Sequence, residues 1–406
     1  MRFMFTAYSN KNVSTMIYFP ENNSMQAARG CDGTGMFALC DSRALMLYGL
    51  NVDGFSSVDY MFTGCINLER IHVSGETDWS RLGGLAGSYM FLGCVKLTGQ
   101  ENTNYLNYHT NIEFARVDNP KANAPGYFTS VATLMEPDPA DSDTEVESIF
   151  IKAGFDAEDD LAQVKKVEFL RTAPSKSTSA KSISNVEGMI TAEIDKTDDK
   201  NIMYIKCESV VFSRLSSCLH LFQNFSSLET IDFNNNFDPI AARTMQGMFD
   251  GCASMKKLDL SSLRTGNVED FSYMFESFGA ATCELNFLAD SILFDTNSAI
   301  TFKGMFENCN VSNIDICNFV YYRANNLSEM FKDSKVEEIN FYGEYSYDYE
   351  NRYIEADYSS MFENCTNITC LQIGGFVPSG NSKLDKMFKG CTNLYKIYLK
   401  QNFRDH

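Results

Sequence analysis

The chain has 406 residues, 44% apolar and 13% aromatic, which is ample for burial but too long for one compact core, so two or three domains or an elongated repeat array are expected. A formal net charge of -19 with a pI near 4.7 argues against nucleic-acid backbones and anionic membranes as partners. Thirteen cysteines, an odd number with no Cys-x-x-Cys pair, argue against a disulfide framework in a chain of this size.

The opening "MRFMFTAYSNKNVSTMIYFPE" has its apolar run cut by Ser9, Asn10 and Lys11, short of a signal-peptide core. No stretch approaches the roughly 20 apolar residues of a membrane span. The expectation is a soluble chain, made and used without Sec export or with a leader already removed. "STMIYFPENNSMQAARG" reads as the opening cap of a first repeat array, because the end of a stack otherwise exposes a core and an edge.

That array begins at Met36-Phe37 and continues at Met61-Phe62 and Met90-Phe91; a second runs through Met248-Phe249, Met274-Phe275, Met305-Phe306, Met330-Phe331, Met361-Phe362 and Met387-Phe388, with a degenerate copy at Leu221-Phe222. Neighbouring phenylalanines within each block are 25 to 31 residues apart, inside the range of stacked repeats. Three residues after Phe stands Cys40, Cys65, Cys94, Cys252, Cys309, Cys365 or Cys391, replaced by Phe225, Phe278 and Ser334 in the other copies. Phe cannot ligate a metal or form a disulfide, but it fills a hydrophobic slot, so the cysteine reads as packing material. The Met-Phe pairs read as core for the same reason. Most copies then enter "LERIHV", "LETIDF", "MKKLDL", "VSNIDI", "VEEINF", "ITCLQI" or "LYKIYL", whose last three places alternate apolar, polar, apolar: a strand with one buried face.

The expected division is 1–100 as cap and first array, 101–205 as a divergent middle segment or insert with linker, and 206–406 as second array. The middle holds "EPDPADSDTE" and "APSKSTSAKSISN", which read as loop or linker, and between them "VESIFI" and "VKKVEF" copy the strand pattern without a Met-Phe step. It continues the stack or forms a separate β-rich insert. "NIMYIKCESVVFSRLSSCLHLF" reads as the opening cap of the second array. At the far end, either Lys396, Lys400 and Arg404 guard the last strand edge by charge, or self-association or another partner covers it.

The spelling "MFDGCASMKKLDLSSLRTGNVEDFSYMF" resembles the BspA-like leucine-rich-repeat surface proteins over about residues 36–98 and 218–400. The resemblance implies a leucine-rich-repeat solenoid, β-rich with short helical or irregular segments, one strand per coil, in a surface-exposed binding or adhesion protein. The middle stretch departs from the family's repeat.

Catalytic constellations are thin. The four histidines (His72, His109, His220, His406) sit in no metal-binding frame, and no nucleophile elbow, phosphate-cradling loop or dinucleotide fingerprint occurs. "DAEDD" at 156–160 reads as a solvated loop or helix start. No enzyme, cofactor or metal is therefore expected. The functional information lies on the outward face of the strands. The polar place between the last two apolar ones gives Asp232, Asp259, Asn286, Asp315, Asn340, Gln372 and Tyr398, with His72 matching in the first array. Two places earlier lie Thr230, Lys257, Glu284, Asn313, Glu338, Cys370 and Lys396. The first row could hydrogen-bond a glycan or peptide, or take a divalent cation between neighbouring carboxylates; equally, any solvated strand face is polar, and stacked Asn or Asp rows help coils pair. The expected function is non-catalytic recognition or adhesion, binding a surface glycan or protein with no nucleic acid and no membrane insertion. Its location would be extracellular or at the cell surface, otherwise virion or cytoplasmic. The alternatives are a phage virion or appendage component and an intracellular protein-interaction scaffold.

Overall fold

The computed structural model describes residues 16–18, 25–26, 29–42, 44–47, 50–73, 78–81, 85–99, 103–106, 108–118, 122–130, 132–137, 146–185, 188–207, 210–214, 216–288, 293–321, 323–341, 355–372 and 380–398. Lys400, Arg404, His406, most of "EPDPADSDTE" and the residues before Met16 lie outside the described residues. The chain is β-rich, with several small sheets, and forms two compact units, 1–131 and 132–406.

The Met-Phe step is a pair of tight turns. In the copy at Phe62, Met61 N–H donates to Val58 O and Cys65 N–H to Phe62 O. The residue before Met and the residue before the Cys slot both have positive φ, as at Tyr60 (55°) and Gly64 (75°) or Gly304 (58°) and Asn308 (53°). Placing left-handed residues among right-handed ones turns alternate N–H groups out of the coil, toward the next copy. Phe62 N–H donates to Met90 O at 2.9 Å, Phe249 to Met274 O at 3.0 Å, Phe306 to Met330 O at 2.7 Å and Phe331 to Met361 O at 2.9 Å. Backbone donors that a turn would leave orphaned are thereby satisfied between copies.

The same geometry turns the Met and Phe side chains inward. Met36, Phe37, Met61, Phe62, Met90 and Phe91 are fully buried in the first unit, as are Met248, Phe249, Met274, Phe275, Met305 and Phe306 in the second. The rings form near-parallel stacks with centroids 5.2 to 5.6 Å apart: Phe37–Phe62–Phe91, and Phe222–Phe249–Phe275–Phe306–Phe331–Phe362–Phe388. Each such contact adds about 0.5–1.5 kcal/mol beyond area burial.

In the first unit, parallel strands order as Met16–Tyr18, Ala44–Met46, Arg70–Val73, Phe128–Ser130. Met16–Tyr18, within the opening stretch, is thus the end strand of this sheet among the described residues. Phe128–Ser130, which carries no repeat signature, pairs with Arg70–Val73 in the slot after it; among the described residues the copy at Phe91 is followed by an isolated bridge from Thr98 to Asn104.

In the second unit, one seven-stranded sheet runs Lys181–Ser182, Thr191–Asp195, Ile202–Cys207, Lys166–Arg171, Thr230–Asp232, Lys257–Asp259, Glu284–Asn286. Lys166–Arg171, from "VKKVEF", pairs parallel on both sides, Val167 facing Met203 and Ile231. Ile202–Cys207 is an interior strand of this sheet, shielded by the antiparallel Thr191–Asp195 and Lys181–Ser182. Two further parallel pairs follow, Asn313–Asp315 with Glu338–Asn340 and Cys370–Gln372 with Lys396–Tyr398.

"VESIFI" is not a strand: Ile149–Lys152 is a single helical turn. Its adjacent Ile149 and Phe150 are both fully buried, which alternation forbids, and Phe150 packs on Phe222 and Phe225 at centroid distances of 5.9 and 5.6 Å.

Candidate functional site

Asp232, Asp259, Asn286 and Asp315 each sit where a strand of the second unit ends and the coil bends. Asp232 Oδ1 accepts Asn234 N–H at 3.0 Å, Asp259 Oδ1 Ser261 N–H at 3.0 Å, Asn286 Oδ1 Leu288 N–H at 3.0 Å and Asp315 Oδ1 Cys317 N–H at 3.1 Å. These are Asx turns: a short polar side chain holds the backbone two residues ahead and stops the strand. Cross-strand bonds join neighbours, Asn286 Nδ2 to Asp259 Oδ1 at 3.1 Å and Asn340 Nδ2 to Asp315 Oδ2 at 3.2 Å.

The register brings the seven sequence-identified residues together in pairs: Asp259 beside Asn286, Asp315 beside Asn340, Gln372 beside Tyr398, and Asp232 beside Glu168. All are exposed except Asp315, which is half-buried. Glu168, Tyr204 and Glu193 extend the row by register beyond Asp232. Glu168 stands at the fifth place of "VKKVEF" and is found by the same pattern; Tyr204 and Glu193 carry no repeat signal. In the first unit His72 stands between Met46 and Thr129, so among the described residues the matching register holds Tyr18, Met46, His72 and Thr129 rather than a run of carboxylates and amides. Of the residues two places earlier, Lys257 and Glu284 form an exposed ion pair at 3.5 Å, and Lys396 Nζ lies 4.2 Å from the Tyr398 ring centroid.

A second polar row precedes the Met-Phe turns. Thr244, Asp270, Thr301, Asn326, Asp357 and Lys383 bridge in parallel from copy to copy. Side-chain oxygens of the first five accept the N–H two residues on, as in Asp270 Oδ1 from Ser272 at 2.8 Å and Asn326 Oδ1 from Ser328 at 3.0 Å.

A third row follows Phe. Gln223 Nε2 donates to Asp250 Oδ2 at 2.9 Å, Lys332 Nζ to Glu307 Oε1 at 2.6 Å and Lys389 Nζ to Glu363 Oε1 at 2.7 Å. Glu276 stands between Asp250 and Glu307. Burial first, then the charges of Asp250 and Glu307, push its carboxyl up to about 7. Beside it opens a polar groove of about 580 Å³ lined by Glu276, Glu307, Asn308, Asp333, Lys335 and Asn364.

The cysteines of the turn point inward. Cys65 Sγ donates to Phe37 O at 3.0 Å, Cys94 to Phe62 O at 3.0 Å, Cys252 to Phe222 O at 3.1 Å and Cys365 to Phe331 O at 2.9 Å. All thirteen are free thiols. In the "DAEDD" stretch Asp156 Oδ1 accepts Glu158 and Asp159 N–H at 2.9 and 2.7 Å, an ordinary loop arrangement. Among the described residues no group of three His, Cys, Asp or Glu side chains is placed to hold a metal ion, and no helix is long and apolar enough to cross a membrane.

Residues 216–343 match a family model described as "Mycoplasma protein of unknown function, DUF285". The match spans about a third of the chain, from the copy at Phe222 to the copy at Phe331. No curated protein and no solved structure matches the chain.

Proposed function

We propose that the chain is a leucine-rich-repeat solenoid of the BspA-like kind and acts, without catalysis, as a recognition protein at a surface, binding a glycan or protein through the outward strand row of its second unit. The observation that carries this reading is the row itself. Carboxylates, amides and one phenol, all exposed but the half-buried Asp315, stand side by side in paired strands, and Asx turns fix the orientation of the first four. Fixed side chains lose little freedom on binding, and repetition converts weak contacts into useful affinity. The buried rows are occupied with packing, which leaves the outward rows free to vary with the ligand. A β-rich fold and the DUF285 match are compatible with a repeat surface protein.

The test uses the intact chain, because Lys166–Arg171 pairs with Thr230–Asp232 and a fragment starting at 206 would lose that strand. Glycan arrays and pull-downs of surface proteins would compare wild type with Gln372→Ala/Tyr398→Ala, two exposed positions outside the Asx turns described above. The expected result is a specific glycan or surface protein bound by wild type and bound about tenfold more weakly by the variant, with an unchanged melting temperature. Equal binding by the variant moves recognition off this row, and no surface component bound at all removes the recognition role.

A further inference from the structure

The first unit uses the same turns as the second but dresses their outer side differently. Leu39 is 58% exposed, Tyr60 41%, Ile66 58%, Tyr89 50%, Leu92 39% and Val95 62%. They occupy four places of the repeat: before Met (Tyr60, Tyr89), after Phe (Leu92), before Cys (Leu39) and after Cys (Ile66, Val95). At those same places the second unit carries, for example, Glu329, Glu307, Asn308 and Lys335. The backbone conformation is the same in both, since Tyr60 and Glu329 are both left-handed, as are Leu39 and Asn308. The turn therefore does not require apolar residues there, and the fold leaves their exposure unexplained.

All six lie on the outer side of these turns, and two contacts tie neighbouring copies together there. The Tyr60 and Tyr89 rings stack with centroids 5.7 Å apart at 20°, and Leu39 lies over Gly64, where any Cβ would collide with it. One margin is polar: Asn67 Nδ2 donates to Asp41 Oδ1 at 2.6 Å and Lys96 Nζ to Asn67 Oδ1 at 2.8 Å. An apolar patch with a polar margin marks an interaction surface. Charge follows the same division. Residues 1–131 hold nine basic and eleven acidic residues, so -2 of the formal -19 belongs to them and -17 to residues 132–406.

Area and chemistry select the occupant. The exposed fractions amount to about 500 Å² of side-chain surface, short of the about 800 Å² per partner that a stable dimer buries, which favours an occupant smaller than a second copy. A glycan would press its hydroxyls against Leu39, Ile66 and Val95, where they lose water and gain no partner. A charged segment would be desolvated against six uncharged side chains. We infer that this face docks a short, uncharged apolar segment of a partner protein. The site is separate from the strand row of the second unit and does not depend on it.

The test is fluorescence anisotropy on the intact chain with capped, labelled 12-residue peptides. One series alternates Leu, Val and Tyr with Ser and Gln; two control series of equal length carry Glu or Lys at the polar places. The variants are Leu92→Glu/Val95→Lys, which copies Glu307 and Lys335, and Tyr89→Glu, which copies Glu329, so each introduces a residue the same turn already accommodates. The uncharged series should bind wild type, bind each variant about tenfold or more weakly, and bind Gln372→Ala/Tyr398→Ala normally, all at unchanged melting temperature. Absence of peptide binding, equal binding of the charged series, or binding untouched by both variants overturns the inference. So does wild-type self-association that Leu92→Glu/Val95→Lys abolishes, or glycan capture that Tyr89→Glu abolishes.

Discussion

Cys309 and Cys365 sit in the ring-lined interior with their thiols shielded from water, and burial pushes both up to about 12. The thiolate is the reactive form, so at neutral pH these groups are chemically quiet. Titration of native protein with an aromatic disulfide should find fast reaction only among the half-buried Cys31, Cys317, Cys370 and Cys391, and release of the rest only on unfolding. Prompt reaction of most thiols would show that the turn's cysteines are accessible. Glu276 is the opposite kind of residue, a titratable group at a working pH. Its folded value of about 7 lies above the ordinary glutamate range, so the folded chain holds this proton more tightly than the unfolded one. Stability from this group is complete in acid, declines as pH rises toward 7, and is level above it. Because the residue is only half-buried, the cost at high pH is about 1–2 kcal/mol rather than the full shift. Glu276→Gln should raise the melting temperature at pH 8 and leave it nearly unchanged at pH 4; an equal effect at both would assign the gain to something other than charge.

At the scale of the element, the turn accepts unusual residues in left-handed conformation because neighbouring copies over-determine it. The Tyr273 ring lies over Gly304, which has φ 58°, in the place where a Cβ would stand. Gly304→Ala meets both the backbone penalty and the ring, and should cost about 1–3 kcal/mol. In a Tyr273→Ala background the ring is gone and only the backbone part and a close approach to the flexible Glu307 side chain remain, so the two changes should be non-additive by about 1 kcal/mol or more in thermal or denaturant melts. Strict additivity would mean that the ring does not rest on the glycine. Leu39 over Gly64 repeats the arrangement in the first unit. At these two places a large residue of one copy lies over a glycine of the next, whereas Tyr60 and Tyr89 meet by stacking their rings.

Across the whole molecule, the packing rows are the legible part. Met, Phe and Cys recur because a stacked interior admits few chemistries, and the period-two strand endings locate the outward row to the residue, Glu168 included. Other parts are less legible for physical reasons. Ala44–Met46 and Phe128–Ser130 are strands set by their neighbours, with no repeat signal of their own. Ile149 and Phe150 look like strand residues by composition but are buried side by side in a helical turn. Left-handed Gly64 and Asn308 look like turn residues, whereas left-handed Tyr60, Tyr273 and Glu329 do not, because the partner copy rather than local preference holds them. The Asx turns give the candidate row a structural duty that alternation alone cannot reveal. The -17 charge on residues 132–406 and the apolar face of residues 1–131 suggest two differently dressed surfaces on one kind of repeat.

The Met-Phe-x-x-Cys repeat is a scaffold whose backbone bonds run from copy to copy, and native-state hydrogen exchange at single-residue resolution measures those bonds one by one. The amides of Phe249, Phe275, Phe306 and Phe331, each donating to the next copy, should exchange slowly and with a common dependence on denaturant. Exchange of these four amides at the rate of an unstructured peptide, or with four unrelated stabilities, would contradict it.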